Sequence, residues 1–111
     1  MEHSFNLKQV YFDLIKQKIK IYEIRLYDEK RKLLSVGDQL TFIASESGES
    51  LKTTITELIF FPSFKEMVKN LNSKDIGFEN KTDEEIFSTY RQFYSSEQEQ
   101  KYGVLAIKVE V

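Results

Sequence analysis

The chain has no cysteine and no tryptophan, and only one proline, one histidine and four glycines in 111 residues. Without cysteine there is no disulfide, no thiolate metal site and no cysteine nucleophile. One histidine excludes a multi-histidine zinc site. A histidine-dependent triad would have to use His3, which reads as a terminal residue without a role. The glycines are isolated, so there is no glycine-rich phosphate loop, and no G-x-S-x-G elbow is present. Long apolar runs are also missing. Residues 1–20 carry Glu2, Asp13 and four lysines, which leaves no signal-peptide core, and no window approaches the ~20 apolar residues of a spanning helix. A cytoplasmic protein with no membrane partner is expected. Nor does one charge dominate: 16 Lys and Arg stand against 18 Asp and Glu, which rules out a wholly basic binder.

What is present suits a folded domain. Nine Phe and six Tyr supply the bulk of a core, and the length fits one domain spanning 1–111. Ser4 to Leu7 reads as a short strand. Leu7, Val10, Tyr11, Leu14 and Ile15 then form the stripe of an amphipathic helix, closed by Lys16 to Lys18. Ile19 to Tyr27 reads as a strand with Tyr22, Ile24 and Leu26 on one face and Glu23 and Arg25 on the other. Val36-Gly37-Asp38 is a turn into a strand in which Leu40, Phe42 and Ala44 alternate with Gln39, Thr41 and Ile43. Glu46 to Ser50 connects it to a partner strand, Leu51 to Phe60, which Pro62 closes.

Two capping-box sequences follow, Ser63-Phe64-Lys65-Glu66 and Thr82-Asp83-Glu84-Glu85, each opening a helix. Asn72 to Lys81 between them reads as a loop, and Ser95 to Gln100 as a further turn. Val104 to Val111 is a last strand, with Ala106, Lys108 and Glu110 forming a polar face. The order β-α-β-β-β-α-α-β is α+β. It predicts a mostly antiparallel, curled sheet or small β-barrel with flanking helices.

The charge is unevenly placed. Lys16 to Lys32 holds seven bases against three acids, and Asp83 to Gln100 holds five acids against Arg91. Both stretches are consistent with solvated faces, and the first is equally consistent with a phosphate-binding patch. Asp83-Glu84-Glu85 reads as a helix N-terminus rather than an acid/base set. Tyr90, Phe93 and Tyr94 read as core rather than as a stacking platform. Glu23 and Arg25 share a strand face, where a carboxylate beside a guanidinium makes a planar polar recognition surface. Lys20 would face the other way in a regular strand and joins them only from a preceding turn or across a bulge.

The stretch from Ile15 to Leu26, with Asp28-Glu29-Lys30-Arg31 and Val36-Gly37-Asp38, resembles the ASCH domain, a PUA-like family with the signature G-x-K-x-x-E-x-R. Lys20, Glu23 and Arg25 fall on its K, E and R, while Lys18 stands where the family has glycine. The likeness extends to the Ser63-Phe64 helix start and Tyr102-Gly103-Val104, as in bacterial single-domain members. It implies a PUA-like β-barrel, a cleft lined by the motif and an RNA or nucleotide-like ligand, with no cofactor and no metal. Lys20 and Arg25 would hold phosphate, Glu23 would accept from a base, and Lys18, Lys30 and Arg31 would form an outer rim. Tyr22 or Tyr27 would stack on an unpaired base.

Some members of the family are amidohydrolases acting on acylated cytidine. The likeness to them implies Lys20 and Glu79 as catalytic candidates, and Glu23 joins these on chemical grounds, as a carboxylate base to activate water. They carry threonine at the position of Glu23, which cannot play that hydroxyl role. The main expectation is therefore an RNA- or nucleotide-binding module. The alternative is a metal-independent hydrolase of a modified nucleoside or of RNA. Oligomeric state is not legible.

Overall fold

Period-two alternation and capping residues account for most of the element boundaries. A computed structural model describes residues 1–111. In chain order the elements are β1 (Glu2–Leu7), α1 (Gln9–Lys16), β2 (Tyr22–Leu26), β3 (Gln39–Ala44), β4 (Ser50–Phe61), α2 (Phe64–Asn70), α3 (Asp83–Phe93), α4 (Ser96–Tyr102) and β5 (Val104–Glu110). A 3-10 turn, Arg31–Leu33, links β2 to β3.

The strands form one sheet in the order β1-β3-β4-β5-β2. Three pairings are antiparallel. The fourth, β1 with β3, is parallel and pairs Phe5 with Phe42. At 12 residues, β4 pairs first with β3 and then with β5, with an irregularity between Ile55 and Glu57. Such a bulge bends a strand and increases its twist. The result is a curled half-barrel, in line with the curled sheet or small, partly open barrel that was expected. β1 and β2 each keep one free edge, and the link between them is the Arg25 side chain, whose Nη2 donates to the Asn6 carbonyl at 2.9 Å.

Apolar side chains pack on both faces. Inside the curl, Phe5, Phe42, Leu40 and Ile55 meet Phe12 and Ile15 of α1. Outside it, Tyr22, Ile24, Leu26 and Val104 meet Phe64, Met67, Ile86 and Tyr90 under α2 and α3. This corrects two expectations. β5 has no polar face over Val104–Ile107, because it is a central strand with helices on its outer side, and both faces are buried. The α1 stripe is displaced as well. Phe12 and Ile15 are buried while Val10 is 58% exposed, because Leu7 belongs to β1 and the helix begins only at Gln9.

The caps hold in detail. Thr82 and Glu85 form a complete capping box. Ser63 caps α2 through Glu66 N–H at 3.1 Å, but the Glu66 carboxylate turns to Lys69. The turn expected at Ser95–Gln100 is a full helix, opened by a second complete box between Ser95 and Gln98. It stops at Gly103, φ 73°, where a Cβ would sit 2.5 Å from the Phe60 ring.

Candidate functional site

The turn after α1 sets the first residue of the site. Lys18 adopts φ 65°, the left-handed conformation that glycine takes at helix ends. A lysine here keeps the backbone course that the glycine would provide, at a cost of about 1 kcal/mol. The N–H groups of Ile19 and Lys20 then return to the Leu14 carbonyl at 3.0 and 3.1 Å. Lys20 therefore precedes the strand, and strand alternation does not govern its direction.

Its side chain is 4% exposed, and its ammonium makes two hydrogen bonds and one ion pair. It reaches the Tyr22 carbonyl at 2.6 Å, the Ile76 carbonyl at 3.0 Å and Glu23 Oε1 at 3.4 Å. Burial pulls the Lys20 pKa below its ordinary value, and the Glu23 carboxylate opposes that pull. The other Glu23 oxygen accepts from Arg25 Nε at 2.7 Å, and Arg25 Nη2 continues to Asn6. The Arg25 guanidinium lies 4.7 Å from the Phe5 ring centroid. A single relay thus runs from residue 76 through Lys20, Glu23 and Arg25 to β1.

The loop between α2 and α3 holds one end of this relay. The Asp75 carbonyl accepts from Ile21 and Tyr22 N–H at 2.8 and 3.0 Å. Gly77, φ 92°, passes so close that a Cβ would lie 3.0 Å from Lys20 Cδ. Nothing in its polar sequence marked Asn72 to Lys81 as more than a connection.

Beside the relay, at the seam between β1 and β2, is a cavity of about 210 Å³. Glu23, Arg25 and Lys20 line it, together with Tyr11 of α1, Phe78 of the loop, and Tyr90, Phe93 and Tyr94 of α3. The rings support one another. Phe78 packs on Tyr11 at 5.9 Å and edge-on to Tyr90 at 5.5 Å, and Phe64 stacks behind Tyr90 at 4.5 Å. Burial raises the Tyr90 hydroxyl well above its ordinary pKa, and nearby Glu23, Tyr11 and Tyr94 add to the rise. Tyr11 and Tyr94 are raised by burial as well.

The structure brings Lys20, Glu23 and Arg25 together and leaves other candidates outside. Lys18, Lys30 and Glu79 are exposed and do not line the cavity, so Glu79 has no place in a reaction there. Arg31 is tied to Asp28 beside the site. Lys20, expected to hold phosphate, is buried and turned to the Tyr22 and Ile76 carbonyls and to Glu23. Tyr22 is turned to Glu57 on the outer face, and Tyr27 packs on Phe60, so neither can stack on a ligand in the cleft. Tyr90, Phe93 and Tyr94, expected to be core, form its wall. Phe93 is 48% exposed, with Lys8 Nζ 4.8 Å over its ring. His3 also has a partner, with Nε2 2.8 Å from Asp38 Oδ2. No group of three or more His, Asp or Glu is placed to hold a metal ion, and no helix is long and apolar enough to cross a membrane.

The model of the ASCH domain family matches residues 5–111. The chain is 40% identical to a hypothetical protein, PH0355, known from a crystal structure, covering 99% of this chain and 98% of that one with a TM-score of 0.89. It is 38% identical to protein PF0455 from Pyrococcus furiosus, known from a solution NMR structure, covering 99% and 96% with a TM-score of 0.80. The crystal structure of an ASCH domain from Lactobacillus crispatus aligns over 99% of this chain and 79% of that one. Its TM-score is 0.69 at 16% identity, a likeness of fold alone. No curated protein matches the chain.

Proposed function

The chain belongs to the ASCH domain family, and from that premise we propose that its seam cleft binds RNA or a nucleotide by taking in one unpaired base. The observation that carries this reading is the Glu23 carboxylate, held between Lys20 and Arg25 at an aromatic-walled cavity. An ionised carboxylate has about four acceptor sites. Two are spent on cations, which leaves the others for the amino group of a base. Arg25 Nη1, which makes no hydrogen bond to the protein, offers donors to a carbonyl or ring nitrogen. Tyr11, Tyr90 and Tyr94 supply flat surfaces of the kind on which RNA-binding proteins stack splayed bases. At about 210 Å³ the cavity is below the ~300–1,000 Å³ of ordinary small-molecule pockets, a size that suits one base or nucleoside. The curled sheet with helices on its outer face is compatible with the PUA-like architecture that the motif implies.

In this reading Lys20 is a positioning residue. It fixes the Glu23 carboxylate and the loop above it and touches no ligand. A second reading, a metal-independent hydrolase of an acylated nucleoside or of RNA, draws on the same enclosed carboxylate. It is the weaker one, because Lys20 is buried against backbone carbonyls and Glu79 is exposed and does not line the cavity.

The test is a titration of the four ribonucleosides, their monophosphates and short single-stranded RNAs against the wild type and folded Glu23→Gln and Arg25→Ala variants. Binding is expected, with a loss of about tenfold or more in each variant. Absence of binding across the panel, or affinities unchanged in both variants, sinks the reading. Turnover of an acylated nucleoside or of RNA that disappears in Glu23→Gln would favour the hydrolase instead.

A further inference from the structure

Of the expected basic residues that the base cleft does not explain, Arg31 alone is not exposed. It enters the 3-10 turn after β2, and its backbone N–H and its Nη1 both go to the Asp28 carboxylate at 3.1 Å. Its Nε is buried without a partner, the one side-chain nitrogen or oxygen in the chain of which this is true. Buried polar atoms are almost always hydrogen-bonded, so this vacancy is informative. The Arg31 guanidinium lies 4.9 Å from the Phe5 centroid, the same ring on which Arg25 rests at 4.7 Å. Both arginines act on the Tyr94 hydroxyl at the cavity wall, opposing the rise that its burial causes. A third cation stands at the rim. Lys8 lines the cavity and holds its Nζ 4.8 Å over the exposed Phe93 ring. The acids nearby are already paired, Glu23 with Lys20 and Arg25, and Asp28 with Arg31.

We propose that Arg31, with Arg25 and Lys8, forms a phosphate subsite at the mouth of the cleft, so that a ligand enters base first and leaves its phosphate between these cations. The proposal rests on the base-binding reading and adds the chemical class of ligand, a nucleotide rather than a free nucleoside. The Arg31 guanidinium turns toward the mouth and its Nε–H finds an acceptor in a phosphate oxygen, while the Lys8 ammonium donates to a second. Guanidinium forks match phosphate geometry, and such charge-assisted bonds are roughly twice as strong as neutral ones. A mononucleotide and an RNA chain share this chemistry.

Two measurements test it. In the first, inorganic phosphate is titrated into 15N-labelled protein and the arginine Nε–Hε resonances are followed. The Arg31 signal is expected to shift saturably, and a signal that does not move overturns the subsite whether or not bases bind. In the second, each nucleoside is compared with its monophosphate. The monophosphate is expected to bind about tenfold tighter or more, with that ratio falling toward one in Arg31→Gln and remaining intermediate in Arg31→Lys. Nucleosides that bind as well as their monophosphates overturn the subsite and leave the base cleft standing. Phosphate that shifts Arg31 when no nucleoside binds supports the subsite and removes the base cleft. Single-stranded RNA tighter than the mononucleotide, with a salt slope reduced by about one in Arg31→Gln, assigns the phosphate to a chain. Equal affinities assign it to a free nucleotide.

Discussion

The two sides of the curled sheet are held together in different ways. On one side β3, β4 and β5 are joined by backbone ladders over dry apolar packing, and the buried polar side chain there, Thr53, is satisfied by the Leu40 carbonyl at 2.7 Å. On the other, β1 and β2 have no ladder between them and are linked by Lys20, Glu23 and Arg25. Backbone pairing draws strands to ~4.8 Å and leaves no space between them. Side chains span a wider gap, and the gap is the cavity. The same substitution of a charged relay for a ladder that leaves the barrel open creates the cavity.

That contrast can be broken from either side. The largest effect is expected on the closed side. Phe42→Ala, at a fully buried ring, should lower stability by about 3–5 kcal/mol in denaturant unfolding. Ligand affinity of the fraction that remains folded should be unchanged. On the open side, Lys20→Ala should cost a similar ~3–5 kcal/mol, because it strips a buried carboxylate of one partner and leaves two carbonyls unpaired. The double variant Lys20→Met with Glu23→Gln should recover a large part of that loss. Additive losses would mean that the relay does not act as a unit.

Smaller effects sharpen the comparison. Gly77→Ala should cost about 1–3 kcal/mol through its φ of 92° and its approach to Lys20, and should speed hydrogen exchange at Ile21 and Tyr22. Alkaline titration followed by phenolate absorbance should leave Tyr90 un-ionised until the protein unfolds, and Tyr90→Phe should remove that late phase. The sign follows from the raised folded pKa. Unfolded tyrosine ionises near 10 while the cleft tyrosines keep their protons, so stability is level below that pH and falls above it. Lys20 works the other way, since its depressed pKa makes the folded state gain as the unfolded lysine loses its proton toward 10.5. The smallest change expected is Thr82→Ala, about 1 kcal/mol from the lost capping box, with no effect on the seam.

Features that depend on neighbours a few residues apart were legible in the chain. The alternation of Leu40, Phe42 and Ala44 gave β3 its buried face, and the box at Thr82 placed the start of α3. The K-x-x-E-x-R spacing put Glu23 and Arg25 on one strand face. The aromatic wall was not legible. Tyr90 packs as a core residue and also faces the cavity, so helical spacing alone could not separate the two roles.

By itself, then, the sequence determined the local order: which segments alternate, where helices are capped, and which chemistries its missing cysteines and lone histidine exclude. Tertiary structure alone decided that β1 runs parallel to β3, that the barrel stays open between β1 and β2, and that Lys20 meets the Ile76 carbonyl, a partner 56 residues away. Side-chain periodicity reports only which face of its own element a residue occupies. Which other face it meets depends on how the whole chain buries its apolar surface, and the cleft is made where that burial leaves two strand edges unjoined.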